Sequence, residues 1–565
     1  MNVQSKNAAS QWRGPLFALS LSLVLAAAAP SRIAAQQTAP QAAQQVAPKA
    51  APAAKPAVQG CTLPSGEPHD EDKATTRITS EQARQLFALV DVLLKFSSGE
   101  TGLPIKSTVK RQLTTRDGVV KYLEEKFNED EGAKRLERDE IVLKKFGLLD
   151  RDFNLKPFLL QLLKEQIEAY YDSKTKTVNL LDWIGPDDEQ PVLAHELTHA
   201  LQDQHSDLEK WDNQTPDEVS TDSAGDRDHL ARDEMDTARD SVAEGQATLV
   251  MWDCVLKPLG KSLIQDPEVL DLLKSQMSGA EDSPVMARAP LLISESMLFP
   301  YREGMSFEQD LWMDQGQTAA FTGALDRPPT SSWEIINPRE YERKHIPAIP
   351  LLPDIHPLTD PAYKPYGIGQ VGQLDVQILS KLLGGDNSAR DLTPAWNGGL
   401  YWAGQLRSAT TPAQQAGTAS IALFYLSVWR NADSANVFAK IYSNSLGRKY
   451  SRVSELSSGA SAADDGSVER LFTTNEGPVL ITTRGKMVFI AESFPLPLAR
   501  KLTALILDAQ GAGPMHLARA PLRPGAPSFE SDAPGSALTN DLVHFFAEAG
   551  VMKAAVDAER LALEK

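Results

Sequence analysis

Two histidines and a glutamate follow the pattern His-x-x-x-His with Glu second, at His195, Glu196 and His199. If this segment is helical, the two histidines lie one turn apart and about 40° apart around the axis, so both imidazoles face one point. Two neutral imidazole nitrogens on one face are ligands that Zn²⁺ accepts. Glu196 is turned about 100° from His195, which suits it to take a proton from water better than to bind the metal. The pattern predicts a zinc-dependent hydrolytic site.

A catalytic zinc needs a third protein ligand, and two residues compete for this role. His205 lies ten residues after His195. Gln202 between them favours an unbroken helix, in which His205 is about 15 Å along the axis and faces elsewhere. Glu244 stands in a second helical stretch, whose small residues, such as Gly245, allow close packing against the motif helix. We predict Glu244 as the third ligand.

The elements that must position these residues can be read from local patterns. In residues 168–183, apolar side chains recur at every second position on both sides of a polar turn. This pattern predicts a hairpin before the motif helix. That helix is predicted to begin near Glu189 and to run through His205, and a second helix is predicted over residues 241–256. Between them, residues 212–240 alternate acids with arginines, which favours a solvated, salt-bridged helix face over a calcium site.

The C-terminal part reads as a smaller α+β region with an antiparallel sheet. Apolar runs predict strands at 419–429, 470–472, 478–483 and 487–493. Helical periodicity predicts helices at 373–383, 434–442 and 497–507. Residues 396–402, with aromatic side chains on both sides of two glycines, predict a turn whose aromatics pack in the core.

The N-terminal residues predict export. Lys6 and Arg13 precede an uncharged run over residues 16–29 that is short for a bilayer span, and a signal-peptidase site follows near Ala35. We therefore expect a periplasmic or secreted protein with no membrane attachment after cleavage. The net charge of −18 argues against nucleic acid and anionic membranes as partners. Whether Cys61 and Cys254 form a disulfide is left open by the sequence.

The segments AHELTHALQDQ and VAEGQAT resemble those of gluzincin-type zinc metallopeptidases, most closely exported bacterial metallopeptidases of uncharacterised type. The similarity is strongest over residues 170–252. It implies one Zn²⁺ per chain on His195, His199 and Glu244, with Glu196 as general base acting on a peptide or protein substrate. It also implies that the strand before the motif helix pairs with extended peptide through its edge. A Gly-x-Met-Glu-Asn-type motif is missing, which argues against an aminopeptidase.

Other polar residues could support this chemistry. Tyr301 and Arg302, in the segment FPYREG, are predicted to stabilise the oxyanion of a tetrahedral intermediate. An equal interpretation is a Tyr301 packed in the core beside a surface arginine. Asp203 and Asp240 each lie four residues from a predicted ligand and could orient it, although a plain surface position is the simpler reading of both.

The sequence thus predicts the α+β class, with a mainly helical zincin-like domain carrying a small edge-strand sheet and a smaller C-terminal α+β domain. The predicted segments are a signal peptide (1–35), an Ala/Pro/Gln-rich linker (36–72), the zincin-like domain (73–345), the C-terminal domain (346–530) and a helical tail (531–565). Two other functions remain open, a zincin-like binding or structural protein without turnover and a zinc hydrolase of a non-peptide amide. Nothing in the sequence sets the oligomeric state.

Overall fold

The computed structural model describes residues 61, 77–129, 131–167, 169–212, 214–215, 220–264, 267–277, 283–456, 461–462, 466–515 and 538–548. The predicted signal peptide lies outside these residues, as does most of the predicted linker and of the helical tail. The described residues belong to one compact unit. Among them, no helix combines the length and the apolar composition that crossing a bilayer requires.

The N-terminal part is mainly helical. Its helices are α1 (Ser80–Thr101), α2 (Arg116–Glu129), α3 (Glu131–Phe146), α4 (Leu155–Gln166), α5 (Pro186–Ser206), α6 (Leu208–Asp212), α7 (Ser223–Arg232), α8 (Met235–Leu256), α9 (Pro267–Gln276), α10 (Leu291–Gln315), α11 (Ala324–Asp326), α12 (Ser332–Ile336) and α13 (Pro338–Glu342). Its strands are β1 (Lys110–Thr114), β2 (Ala169–Asp172) and β3 (Thr177–Leu181). These strands form one small sheet in the order β1-β3-β2, in which β3 pairs parallel to β1 and antiparallel to β2.

Helix α1 supports the motif helix α5. The side chain of Thr79 accepts from the amide of Gln82, and the side chain of Gln82 accepts from the amide of Thr79, so both ends of a capping box are present. The hydroxyl of Ser97 on α1 donates to the carbonyl of Ala194 on α5, at 3.1 Å. The predicted motif helix is confirmed, since α5 spans the whole segment through His205.

Helix α8 lies at the centre of the N-terminal part, and all 22 of its residues are buried. It crosses α10 at two glycines, because a Cβ on Gly245 would lie 2.3 Å from the carbonyl carbon of Gly304. Gly245 therefore allows a close approach to α10. The expected packing of α8 against the motif helix also occurs, at the neighbouring Ala243, whose carbonyl accepts from Gln202. A disulfide joins Cys254, near the end of α8, to Cys61 across 193 positions of sequence, with the two Cα atoms 5.3 Å apart.

The C-terminal part surrounds one antiparallel sheet. Its helices are α14 (His356–Thr359), α15 (Gln373–Gly384), α16 (Asp386–Leu392), α17 (Pro412–Gln415), α18 (Ala432–Lys449), α19 (Leu496–Ala509) and α20 (Asn540–Glu548). Its strands are β4 (Tyr363–Gln370), β5 (Trp396–Leu406), β6 (Ile421–Trp429), β7 (Val453–Glu455), β8 (Ser461–Ala462), β9 (Val468–Thr474), β10 (Gly477–Arg484) and β11 (Met487–Glu492). The order is β4-β5-β6-β11-β10-β9-β7, with β8 paired to β9. The chain is thus α+β, as predicted.

Both faces of this sheet are covered, which explains why β6 is apolar at every position from Ile421 to Leu426. Leu423 and Tyr425 face one core, which also contains residues of α18 and of the N-terminal helices. Phe424 and Leu426 face a second core, which contains residues of α19. Because the first core includes residues from both sides of position 345, the two parts pack together; the domain boundaries themselves stay a prediction.

Two further expectations need correction. The acidic stretch is a solvated face only in part: Asp222, Arg227 and Asp228 are exposed, but five other charged residues are buried, namely Asp226, Asp233, Asp236, Arg239 and Asp240. An alternation of acidic residues and arginines is equally typical of helices whose charged side chains are paired inside the molecule. Residues 396–402 are not a turn but the start of β5, with a bulge that changes the register between Trp396 and Gly399. The expected core packing holds, since the rings of Trp396 and Trp402 are buried.

Candidate metal centre

Helix α5 brings His195 and His199 together as its periodicity predicts. Their Nε2 atoms lie 3.0 Å apart, and the ring centroids are 4.7 Å apart. His195 is 4 % exposed, whereas His199 is slightly more open. The two imidazoles therefore direct the same type of ligand atom to one point.

Helix α8 adds the carboxylate of Glu244 at this point. Its Oε2 lies 3.0 Å from the Nε2 of His195 and 3.5 Å from the Nε2 of His199. The three ligand atoms lie within 4.8 Å of one another, and the described residues contain no other cluster of this kind. Two imidazoles and one carboxylate match the His₂Glu set that zinc accepts with one coordination position open.

Charges within this cluster are strongly coupled. Burial alone would raise the pKa of Glu244, but the charge of His199 and the hydrogen bonds from both histidines outweigh it and bring the pKa to about 2. Burial likewise lowers the pKa of His199, but the adjacent Glu244 carboxylate raises it to about 9. The Glu244 carboxylate thus favours a proton on His199 in the metal-free chain, and the proton on Nε2 is the one that a divalent cation would have to displace.

Glu196 lies beside the ligands, with its carboxylate held by the small sheet. Its Oε2 accepts a hydrogen bond from the backbone amide of Tyr171 on β2, at 2.7 Å. Burial raises the pKa of Glu196 above its usual 4.5, while the charges of His195 and His199 act to lower it. A buried carboxylate with a raised pKa is suited to accept and return a proton.

The two predicted oxyanion-stabilising residues lie in different surroundings. The ring of Tyr301 lies next to that of His195, with centroids 6.2 Å apart and the planes inclined by 27°. Arg302 instead donates to Glu295 at 2.6 Å, and Lys381 donates to the other oxygen of the same carboxylate. Tyr301 thus lies at the cluster, whereas the guanidinium of Arg302 is engaged in an ion pair of its own.

The competing third ligand and the two predicted orienting aspartates have other partners. His205 pairs with Asp326 at 2.9 Å. Asp203 accepts from the hydroxyl of Tyr171 and from the ammonium of Lys176, so it ties the hairpin to α5. Asp240 lies 3.1 Å from the ring nitrogen of His544 on α20. These partners are not the predicted ligands, and both aspartates are buried, so the predicted surface position is wrong for both.

A residue that the sequence reading passed over does contact a predicted ligand. The side-chain oxygen of Gln202 lies 2.8 Å from the Nδ1 of His199. The sequence contains a signal for this contact, because a residue three positions after a histidine in a helix lies on the same face as that histidine. In the sequence, Gln202 is notable otherwise only as a helix-forming residue.

The expected edge strand is a different one. β3 directly precedes α5 but is the central strand of its sheet, so the implied edge pairing through β3 is wrong. Among the described residues β2 is an edge strand of this sheet, and its Tyr171 amide donates to Glu196 of the motif helix.

Comparison with known proteins returns nothing for this chain: no family model, no curated protein and no solved structure matches it. The resemblance to gluzincins therefore stays a prediction, and the support for a function comes from the geometry of the cluster.

Proposed function

We propose that this protein is a zinc-dependent hydrolase of peptide bonds, with His195, His199 and Glu244 as the zinc ligands. One observation carries the proposal: two helices far apart in sequence direct two imidazoles and one carboxylate to a single buried point, beside a second buried glutamate. A purely structural metal site needs only the ligands and has no use for Glu196. The combination of ligand set and proton acceptor supports catalysis.

Zinc, when bound, would supply a Lewis acid that makes water nucleophilic and polarises the carbonyl of the substrate. The chain itself would supply the proton acceptor. With Oε2 of Glu196 held by the Tyr171 amide, Oε1 is the oxygen that would take a proton from the attacking water and return it to the leaving amine. Burial of this carboxylate limits exchange of that proton with solvent.

Tyr301 is the residue we assign to the developing oxyanion, because its ring lies beside His195. The ion pair with Glu295 argues against the same role for Arg302. An extended peptide would join the outer edge of β2 through backbone groups other than the Tyr171 amide, which Glu196 occupies. Export to an oxidising compartment is part of the proposal, and the Cys61–Cys254 disulfide is consistent with it.

The test replaces the proton acceptor while leaving the ligands in place. Glu196→Gln is nearly isosteric, so we expect it to bind about one zinc per chain, as the unmodified protein would. Hydrolysis of a peptide library should fall by about 100-fold or more, the range that general-base catalysis contributes. Zinc content is measured by metal analysis and cleavage by mass spectrometry.

The matched control is Glu189→Gln, which changes another fully buried glutamate of the same helix and should keep both properties. Unchanged cleavage by Glu196→Gln would remove this residue from the mechanism. Zinc binding without cleavage of any peptide by the unmodified protein would favour a binding protein, or a hydrolase of other amides. A chain that binds no zinc would overturn the proposal.

A further inference from the structure

The Nδ1 atom of His199 faces the side chain of Gln202, at 2.8 Å from its oxygen. This amide is fully buried, so water does not compete for its hydrogen bonds. The two ring nitrogens of a histidine are distinct, and the hydrogen bond made by one determines which proton the other carries. The contact therefore bears on whether Nε2 of His199 presents a lone pair to the centre of the cluster.

The orientation of Gln202 is determined by its other end. Its side-chain nitrogen lies 2.9 Å from the carbonyl oxygen of Ala243 and 2.9 Å from the side-chain oxygen of Gln246. Both neighbours only accept hydrogen bonds at these atoms, so the nitrogen must be the donor. Turning the amide over would place oxygen against oxygen at both contacts.

Gln246 is oriented in turn by the backbone. Its side-chain nitrogen donates to the carbonyl oxygens of Ala320 and Phe321, at 2.9 and 3.1 Å. These two residues lie in the π-helical turn Ala319–Gly323, a rare conformation that is frequent at functional sites. A backbone carbonyl cannot donate, so the direction of every hydrogen bond from this turn to His199 is determined.

We propose that Gln202 is a positioning residue that holds His199 with its proton on Nδ1 and its lone pair on Nε2, and that Gln246 enforces this by fixing the amide of Gln202. The inference rests on the proposed function, since it concerns the same metal centre. His195 differs, because its buried Nδ1 has no hydrogen-bond partner among the described residues. Of the two imidazoles, only that of His199, which is the more exposed, has a hydrogen-bond partner for its Nδ1 among the described residues.

The test measures zinc affinity of the full-length, metal-free chain by competition with a chromophoric chelator. Gln202→Met keeps the volume and removes the acceptor, and should raise the zinc dissociation constant by about 10- to 100-fold, the usual cost of losing such a partner. Gln246→Met should raise it less. Because Gln246 acts through Gln202, the double variant should match Gln202→Met to within about twofold.

A spectroscopic readout separates positioning from general stability. In the zinc-loaded protein with ¹⁵N-labelled histidine, the Nδ1 proton of His199 should exchange slowly with solvent, and Gln202→Met should accelerate this exchange. Thr198→Val is the matched control, since it removes another buried side-chain hydrogen bond, to the Ala194 carbonyl, from the same helix. It should leave the affinity and the exchange rate unchanged.

The possible outcomes are distinguishable. An unmodified protein that binds zinc and a Gln202→Met variant that binds it equally well would overturn the positioning role alone. Multiplicative losses in the double variant would show that Gln246 acts independently and would overturn the relay. An equal loss in Thr198→Val would attribute the effect to general destabilisation. Absence of zinc binding by the unmodified protein would overturn this inference together with the proposed function.

Discussion

At the scale of single residues, the negative charge of Glu244 and the positive charge of His199 stabilise each other before any metal binds. The pKa of Glu244 is about 2 and that of His199 about 9, because each charge favours the other in a buried setting. A single buried charge at this point would be costly, whereas the pair is stabilised by close contact. Removal of Glu244 therefore affects both the ligand set and the electrostatic balance that keeps the imidazoles together.

This balance predicts different results for the two residues that competed as third ligand. Glu244→Ala should raise the zinc dissociation constant by more than about 100-fold, beyond the cost of losing an indirect partner. His205→Ala should change it by less than about twofold, since His205 pairs with Asp326 at the surface, where such pairs contribute little. Chelator competition measures both constants. The reverse ranking would favour a metal site built from His205.

At the scale of elements, the position of the carboxylate depends on how closely two helices cross. Gly245 follows Glu244 directly and packs on the backbone of Gly304, one turn after Tyr301 on α10. The same crossing therefore positions the predicted third ligand and the tyrosine that lies beside His195. Neither glycine has a positive φ, so close approach alone explains why these positions exclude a side chain.

We expect Gly245→Ala to force α8 and α10 apart. The added Cβ would lie within 2.4 Å of two backbone atoms of Gly304, which cannot rotate away. Overpacking of this kind should lower the free energy of unfolding by about 1–3 kcal/mol. Gly447→Ala is the control, because nothing lies within 4 Å of a Cβ in that helix, and it should stabilise by about 0.5–1 kcal/mol. Urea unfolding measures the free energy of unfolding of both variants. Equal changes in the two would show that the close approach of α8 and α10 does not exclude a side chain at Gly245.

At the scale of the whole molecule, buried polar groups join the helical part to the C-terminal sheet. Lys145 of α3 donates to Glu476 at 2.8 Å and to the hydroxyl of Ser493 at 2.7 Å. Glu234, just before α8, accepts from Ser332, and its carboxylate lies directly against Gly372. These contacts are specific in direction and distance, so they determine how the two parts are oriented.

Glu234 makes this junction sensitive to pH. Burial, with the nearby carboxylates of Asp375 and Asp233, raises its pKa from 4.5 to about 8. The folded chain therefore binds more protons than the unfolded chain between these values, so this contribution to stability is complete below about pH 4.5 and is lost as the pH rises to about 8. Glu234→Gln resembles the protonated form and should flatten the fall in melting temperature between pH 5 and 8.

Melting temperatures of both proteins at pH 5, 6, 7 and 8 test this directly. Asp375→Asn provides a second variant, because burial raises the pKa of Asp375 to about 7 and its side-chain oxygen can still accept from the Gly372 amide. The Asp375→Asn variant should reduce the pH dependence of the melting temperature over a narrower pH range than Glu234→Gln does. An equally steep fall in both variants would show that other groups control the pH dependence.

Local features of the chain could be predicted from the sequence because they depend on residues a few positions apart. The capping box of Thr79, the apolar run of β6 and the face shared by His195 and His199 are all of this kind. The α+β class follows from the same periodicities. Glu244 also lies beside the histidines as predicted, although its neighbour Gly245 packs on α10, and its role as a metal ligand stays a prediction.

Contacts between distant segments were decided only by the tertiary structure. The burial of the acidic stretch, the pairing of Gly245 with Gly304, the edge position of β2 and the hydrogen bonds from Gln202 to Gln246 all join elements that the chain brings together from afar. Periodicity specifies which face of an element is apolar or polar, but not which other element that face meets. That choice depends on how all the helices and strands fill one volume, and so it appears only in the packed molecule.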